Sequence, residues 1–215
     1  RVDRTGLFIA SNDRPIVTIR AVIFDLGGVL LRTPDFGPRE RLAASLGYSR
    51  FALETLFFGG QSGTAAQLGE ISTQQHWEFI RQTLGLTQPG FERFLEQFWG
   101  QDEMDYALVD AIRSLRPQRR TALLSNNFSD LRRWLVEKWT VADAFDELII
   151  SSEVGILKPD PRIYQLTLAR LGVQPSEVVF VDDFLHNVEA ARALGLHAVH
   201  FQNSDQALTE LRTLL

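Results

Sequence analysis

Four polar signatures, each following directly on a short apolar run, hold residue types able to handle an anion and a cation together. Asp25 ends Ala21-Val22-Ile23-Phe24 and is followed by Leu26-Gly27-Gly28. A carboxylate so placed serves as nucleophile or metal ligand while backbone amides close on an anion; an aspartate capping a turn is the plainer reading. Ser125-Asn126-Asn127 follows Leu123-Leu124 and offers a hydroxyl and free amides to a phosphate group, or simply an N-cap. Lys158 lies in Gly155-Ile156-Leu157-Lys158-Pro159-Asp160-Pro161, in a chain with two lysines against twenty arginines. Its compact charge suits a phosphoryl oxygen and a carboxylate at once, although a surface loop also accepts a lysine. Asp182-Asp183, with Asn187 four residues on, is a like-charged pair that needs a lysine or a cation beside it. Oxygen donors without neighbouring Cys or ligating His favour Mg2+ over zinc.

The elements that position these residues follow from the pattern. Apolar runs at 21–24, 121–124, 148–150, 178–181 and 197–201 are short and bounded by polar or turn residues, as strands buried on both faces of a parallel sheet are. Between them Leu108, Ile112 and Leu115, and again Tyr164, Leu168 and Leu171, repeat at helical spacing. Gly172 and Gly195 stand where glycines end helices. Strand–helix alternation from about residue 105 predicts an α/β fold with a Rossmann-like, doubly wound parallel sheet. In such sheets ligands bind beyond the carboxyl ends of the strands, where all four signatures would meet. Residues 35–103 break the rhythm and predict helices near 38–47, 50–58, 72–84 and 90–99. Ser72 and Gln75 have capping-box spacing, and Trp77, Ile80 and Leu84 form one apolar stripe and Phe91, Phe94, Leu95 and Phe98 another. Phe57-Phe58-Gly59-Gly60 reads as core rather than pocket wall. The division is therefore a leader over 1–18 with a short strand near 16–19, a Rossmann-like core over 19–34 and 104–215, and an all-helical insert over 35–103.

Composition narrows the function. The net charge of −5 comes without a basic stripe, which argues against nucleic acid as partner. The absence of cysteine excludes disulfides, thiolate catalysis and zinc–thiolate sites. No apolar run approaches the roughly 20 residues that span a bilayer, so a cytoplasmic protein without membrane partner is expected. The serine-hydrolase, zinc-protease, P-loop and dinucleotide-binding motifs are absent. His76 and His186 are candidates for a pocket; His197 and His200 read as structural.

Taken in order, these motifs resemble the haloacid dehalogenase superfamily from about Ile19 to the C-terminus. Lys158-Pro159-Asp160-Pro161-Arg162-Ile163-Tyr164 and Val181-Asp182-Asp183-x3-Asn187-Val188-x2-Ala191 point to its branch with a helical cap after the first strand. That branch includes phosphatase-like proteins related to the N-terminal domain of soluble epoxide hydrolase. The resemblance implies a Mg2+-dependent phosphatase acting on a small phosphorylated substrate, as a monomer or homodimer. Asp25 would be the nucleophile, forming an aspartyl-phosphate. Asp25, Asp183 and the Gly27 carbonyl would hold Mg2+, with Asp182 behind them or on a metal-bound water. Ser125, Asn126, Lys158 and Gly28 would bind the phosphoryl group. One position departs from the pattern: Gly27 stands where active phosphatases of this kind carry an acid–base aspartate. Asp35, His76 and His186 are the available replacements. Gly27 also motivates an alternative, a phosphate-binding protein of the same fold with impaired turnover; a haloacid-type dehalogenase comes after it. The schiff-base phosphonate route needs a lysine in the insert, and 35–103 contains none.

Overall fold

The computed structural model describes residues 18–215. Residues 1–17 of the leader lie outside the described residues, and with them the first half of the strand expected near 16–19; Thr18 and Ile19 belong to no strand. The chain begins with β1 (Ala21–Phe24) and β2 (Leu31–Arg32), then runs through α1 (Gly37–Ser45), α2 (Arg50–Phe58), α3 (Gly60–Gln67), α4 (Thr73–Thr83) and α5 (Gln88–Trp99). It returns through β3 (Glu103–Met104) to α6 (Tyr106–Leu115), β4 (Arg120–Ser125) and α7 (Leu131–Arg133), which continues as a π-helical turn over Trp134–Lys138. Then come β5 (Glu147–Ile150), α8 (Ser151–Val154), α9 (Pro161–Leu171), β6 (Val178–Asp182), α10 (Leu185–Ala193), β7 (His197–His200) and α11 (Ser204–Leu214).

Five strands form one parallel sheet in the order β5-β4-β1-β6-β7. Successive side chains alternate between faces, and here both faces are apolar. Val22, Phe24, Leu123, Val179 and Val181 pack with α6 and α11 through Leu108, Ile112 and Leu211. Ala21, Ile23, Ala122, Leu124 and Phe180 pack with α9 and α10 through Ile163, Leu168 and Ala191. Unbroken apolar runs in the strands are thus the sequence mark of a sheet covered on both sides. Gly172 and Gly195, at φ 66° and 89°, end α9 and α10 in the left-handed conformation as expected. The central β1 has β4 on one side and β6 on the other, so the loops leaving these three strands are neighbours at one edge.

The helical insert has a core of its own, made by Ala43, Leu53, Phe57, Ile80, Phe91, Phe94 and Phe98. Phe57 and Phe98 stack at 4.1 Å between ring centroids. The Ser72–Gln75 capping box is formed reciprocally at the start of α4. The pair Phe57-Phe58 divides: Phe57 is core, whereas Phe58 is 43% exposed. Two features were not foreseen. Residues 60–67, Gly-Gln-Ser-Gly-Thr-Ala-Ala-Gln, form α3 despite two glycines and little apolar periodicity. β2 and β3 pair antiparallel where the chain leaves for the insert and where it returns. Beside this neck, Arg39 is buried; it donates to the Phe98 carbonyl at 2.8 and 3.1 Å and pairs with Asp102 at 2.7 Å.

Candidate active site

Asp25 is the first residue beyond β1, and its backbone N–H still donates to Val181 O at 2.9 Å. The ladder therefore holds its main chain while the side chain leaves the sheet edge. Asp182 ends β6 and Asp183 follows it, and one oxygen from each of the three carboxylates lies within 4.8 Å of the other two. Lys158 reaches the same point from the loop before α9: its Nζ lies 2.8 Å from Asp25 Oδ1 and 2.6 Å from Asp182 Oδ2. The structure thus brings together residues spread over more than 150 positions.

The three acids differ sharply in their partners. Asp182 is fully buried and saturated. Oδ1 accepts from the Phe184 N–H at 2.8 Å and from Asn187 Nδ2 at 3.0 Å, and Oδ2 accepts from Lys158 and again from Asn187 at 3.1 Å. Asp183 Oδ1 is buried and accepts no hydrogen bond from any described residue. Three carboxylates and one ammonium leave two excess negative charges, which a divalent cation would neutralise. Burial raises the Asp25 carboxyl to about 7; Lys158 pulls it down, while Asp182 and Asp183 push it up. Burial, and then the charge on Asp182, raise Asp183 to about 6. Burial works against the charged Lys158, yet Asp25 and Asp182 hold its ammonium above the usual lysine range. The unpartnered Asp183 oxygen, the charge excess and the all-oxygen donor set fit Mg2+.

Gly28 has φ 76°, and a Cβ there would fall 2.0 Å from Asp183 Oδ2. Its own N–H donates to Leu31 O at 2.9 Å. Its amide is therefore committed, and glycine is needed because Asp183 packs where a side chain would stand. By contrast the N–H groups of Leu26, Gly27 and Asn126 donate to no acceptor among the described residues. They border Asp25 and Ser125, as a backbone cradle for an anion would. The Ser125 side chain is buried at the end of β4. Asn126 has a further part that its sequence position did not suggest. Its Oδ1 accepts from the Lys158 N–H at 2.8 Å and its Nδ2 donates to the Lys158 carbonyl at 2.9 Å, bracketing the main chain of the lysine.

The histidines fall out as follows. His76 is buried, with Nε2 2.8 Å from the Phe57 carbonyl and Nδ1 2.8 Å from Ser62 Oγ. A carbonyl only accepts, so Nε2 carries the proton and Nδ1 accepts from the serine. Burial lowers the pKa of this ring. Both nitrogens are occupied, which makes His76 a packing residue of the insert rather than a pocket base. His186 is exposed, its ring 5.4 Å from that of Phe184. His200 Nε2 lies 2.9 Å from the backbone oxygen of Asp183, so a histidine read as structural steadies the strand end that bears Asp182 and Asp183. Asp35 is exposed and accepts from the Gly37 N–H at 2.8 Å, acting as a local turn cap.

Sequence reasoning missed Phe128, three residues beyond Ser125. It is buried between the core loop and the insert, stacked on Phe58 at 6.3 Å and within 5.2 Å of His76 and Trp77. Thr73 Oγ1 and Ser129 Oγ, 3.0 Å apart, extend the contact. At Gly69 a Cβ would meet Ser152 O at 2.1 Å, so the insert also touches α8 at backbone distance. An aromatic in a polar loop was the available signal.

Among the described residues no helix is long and apolar enough to cross a membrane. The sequence model of the haloacid dehalogenase-like hydrolases matches residues 19–195. The chain is 31% identical over 218 residues to bifunctional epoxide hydrolase 2 of Sus scrofa, covering 91% of this chain but only 38% of that protein. It is 27% identical to sesquiterpene phosphatase astK of Aspergillus oryzae, over 92% of this chain and 97% of the relative. To (S)-2-haloacid dehalogenase 1 of a Pseudomonas species it is 30% identical, over 84% and 83%. Among solved structures, a haloacid dehalogenase-family enzyme of Bacteroides thetaiotaomicron in complex with magnesium and inorganic phosphate superposes with a TM-score of 0.72. It is 23% identical, with 86% of this chain and 94% of that one covered, and it shows the shared fold.

Proposed function

The chain belongs to the haloacid dehalogenase-like hydrolases, and from that footing we propose that it is a Mg2+-dependent phosphatase of small phosphorylated metabolites. The observation that carries the proposal is the cluster of Asp25, Asp182 and Asp183 with one lysine and one unpartnered carboxylate oxygen. The phosphatase relative, and the magnesium and phosphate bound by the fold neighbour, support it.

In this reading Asp25 attacks phosphorus and becomes an aspartyl-phosphate, which water then hydrolyses. Asp25, Asp183 and the Gly27 carbonyl would hold Mg2+, which when bound neutralises charge on the phosphoryl oxygens. Asp182 takes a different part: with four hydrogen bonds upon it, it orients Lys158 rather than offering a free ligand oxygen. Lys158, Ser125 and the N–H groups of Leu26, Gly27 and Asn126 stabilise the negative charge of the transferring group. The helical insert acts as a cap that excludes water and contacts the leaving group.

Turnover of an aryl phosphate with Mg2+ and with chelator, beside Asp25→Asn, tests this. Turnover should require both the metal and Asp25; activity surviving either loss refutes the mechanism. The dehalogenase relative supports a second reading, hydrolysis of a carbon–halogen bond. Three clustered carboxylates argue against it, since nothing in that reaction needs a cation. Halide release from a 2-haloacid in chelator would decide in its favour.

A further inference from the structure

The reaction proposed above ends with a leaving oxygen that must depart either with a proton or as an anion. The groups named so far that could provide that proton are engaged elsewhere, except His186, which is exposed with its ring 5.4 Å from that of Phe184. Lys158 is held by two carboxylates, and Asp182 accepts four hydrogen bonds. Asp183 lies against Gly28 with one oxygen turned into the carboxylate cluster. His76 has both nitrogens occupied, His200 is bonded to the main chain of Asp183, and Asp35 caps its own turn at the surface. At Gly27, two residues beyond the nucleophile, there is no side chain, and a Cβ built there meets nothing within 4 Å. Residue 27 therefore has room for a proton donor and holds none.

Resting on the phosphatase reading, we propose that the substrates are phosphates whose leaving group is stable as an anion: acyl phosphates, enol or aryl esters, or phosphoanhydrides. In the first step the bond from Asp25 Oδ to phosphorus forms while the bond from phosphorus to the leaving oxygen breaks. That oxygen keeps the electron pair and departs unprotonated. In the second step water oxygen bonds to phosphorus and Asp25 Oδ leaves with its electron pair. One water proton passes to bulk solvent and the other stays on the product, hydrogen phosphate. The aspartyl-phosphate is itself an acyl phosphate, so the enzyme carboxylate also leaves as a stable anion. Simple alkyl phosphates, which would expel an alkoxide, are disfavoured by roughly the 100- to 10,000-fold that a positioned acid contributes.

The test uses the full chain with Mg2+ and four probes: acetyl phosphate, p-nitrophenyl phosphate, phenyl phosphate and propyl phosphate. The expected result is a steep fall of kcat/KM in that order as the leaving group becomes more basic. Gly27→Asp should raise propyl phosphate turnover by about 100-fold and flatten the series. A flat series in the native protein overturns the inference while leaving the phosphatase reading intact. If His186→Gln then makes the flat series steep, His186 is the proton donor. A folded Gly27→Asp protein with the native slope also overturns it. If the variant does not fold, the slope of the native protein decides alone. Failure to hydrolyse any of the four, or hydrolysis that survives Asp25→Asn, removes the phosphatase reading and this inference with it.

Discussion

Two groups of charge, one where the insert leaves the core and one at the sheet edge, are built on different principles. At the neck, Arg39 and Arg50 face Glu54 and Asp102: Arg39 pairs with both acids, and Arg50 takes the second oxygen of Glu54 at 2.7 Å. Remaining Arg39 donors go to the Phe98 carbonyl, and its guanidinium lies 4.3 Å over the Phe98 ring. Two arginines meet two acids there, with the exposed Glu40 a further 3.8 Å from Arg50. At the sheet edge three carboxylates share one ammonium, and among the described residues a buried oxygen of Asp183 has no donor. Buried groups left unsatisfied cost stability, so a fold that needed only cohesion would have closed the second cluster as it closed the first. The difference separates charge that holds the chain from charge that, in the proposed function, stays open for a cation.

Substitutions should respond to that difference in opposite ways. Asp25→Asn is expected to reduce phosphate-ester turnover by roughly a thousandfold or more, with a melting temperature equal to or above the native one in chelator. A large loss of stability would mean that this cluster too is structural. Arg39→Ala leaves Asp102 without its guanidinium and Glu54 with Arg50 alone, and is expected to cost about 3 kcal/mol in chemical denaturation. The fraction that remains folded should keep its turnover; a selective loss of kcat would tie the neck to catalysis.

Metal and pH sharpen the contrast further. Asp25 and Asp183 have raised pKa values, about 7 and 6, in the folded chain. Unfolded, they would titrate near 4. Between these limits the folded state binds more protons, so without metal these groups make stability fall as pH rises from about 4 to 7. Mg2+, bound as proposed, would compete with those protons. The rise in melting temperature that it produces should therefore be greater at pH 8 than at pH 5, with a stabilisation of about 2.7 kcal/mol where Mg2+ stands at a hundred times its Kd. An equal rise at both values would place the cation elsewhere. The smallest effect belongs to Asn126→Ala, which removes two bonds to the Lys158 main chain, about 1–2 kcal/mol by denaturation. It should lower kcat more than it raises KM, because Lys158 loses its placement while the N–H of residue 126 remains.

The core was legible in the sequence because a doubly covered parallel sheet writes itself as short apolar runs, and because strand ends are where its polar residues collect. Asp25, Ser125 and Asp182-Asp183 could be read from their positions after such runs, whereas Lys158 comes beyond α8, eight residues after β5 ends. What was hidden depends on long-range contact. β2 and β3 are two residues each, too short for any periodicity, and exist only because the chain leaves and returns at one place. α3 carries glycines and polar residues and is held by its neighbours, as where Gln67 donates to the Phe58 carbonyl. Arg39 is one of twenty arginines, and nothing local marks it as buried. Gly28 was expected for its free amide, but the reason for glycine lies 155 residues away in Asp183.

Phe128 joins two matters that are usually treated apart. The loop that leaves β4 carries Ser125 at one end and, three residues later, the ring upon which Phe58, His76 and Trp77 close. Lifting the insert would expose that ring and the edge of the Trp77 indole to water in one motion. Indole emission shifts to the red when a tryptophan becomes solvated, and with Trp99, Trp134 and Trp139 replaced by Phe the remaining Trp77 would report whether the insert is seated. An insert exchanged from another protein would need an aromatic surface matched to Phe128, or the loop bearing Ser125 would lose its backing.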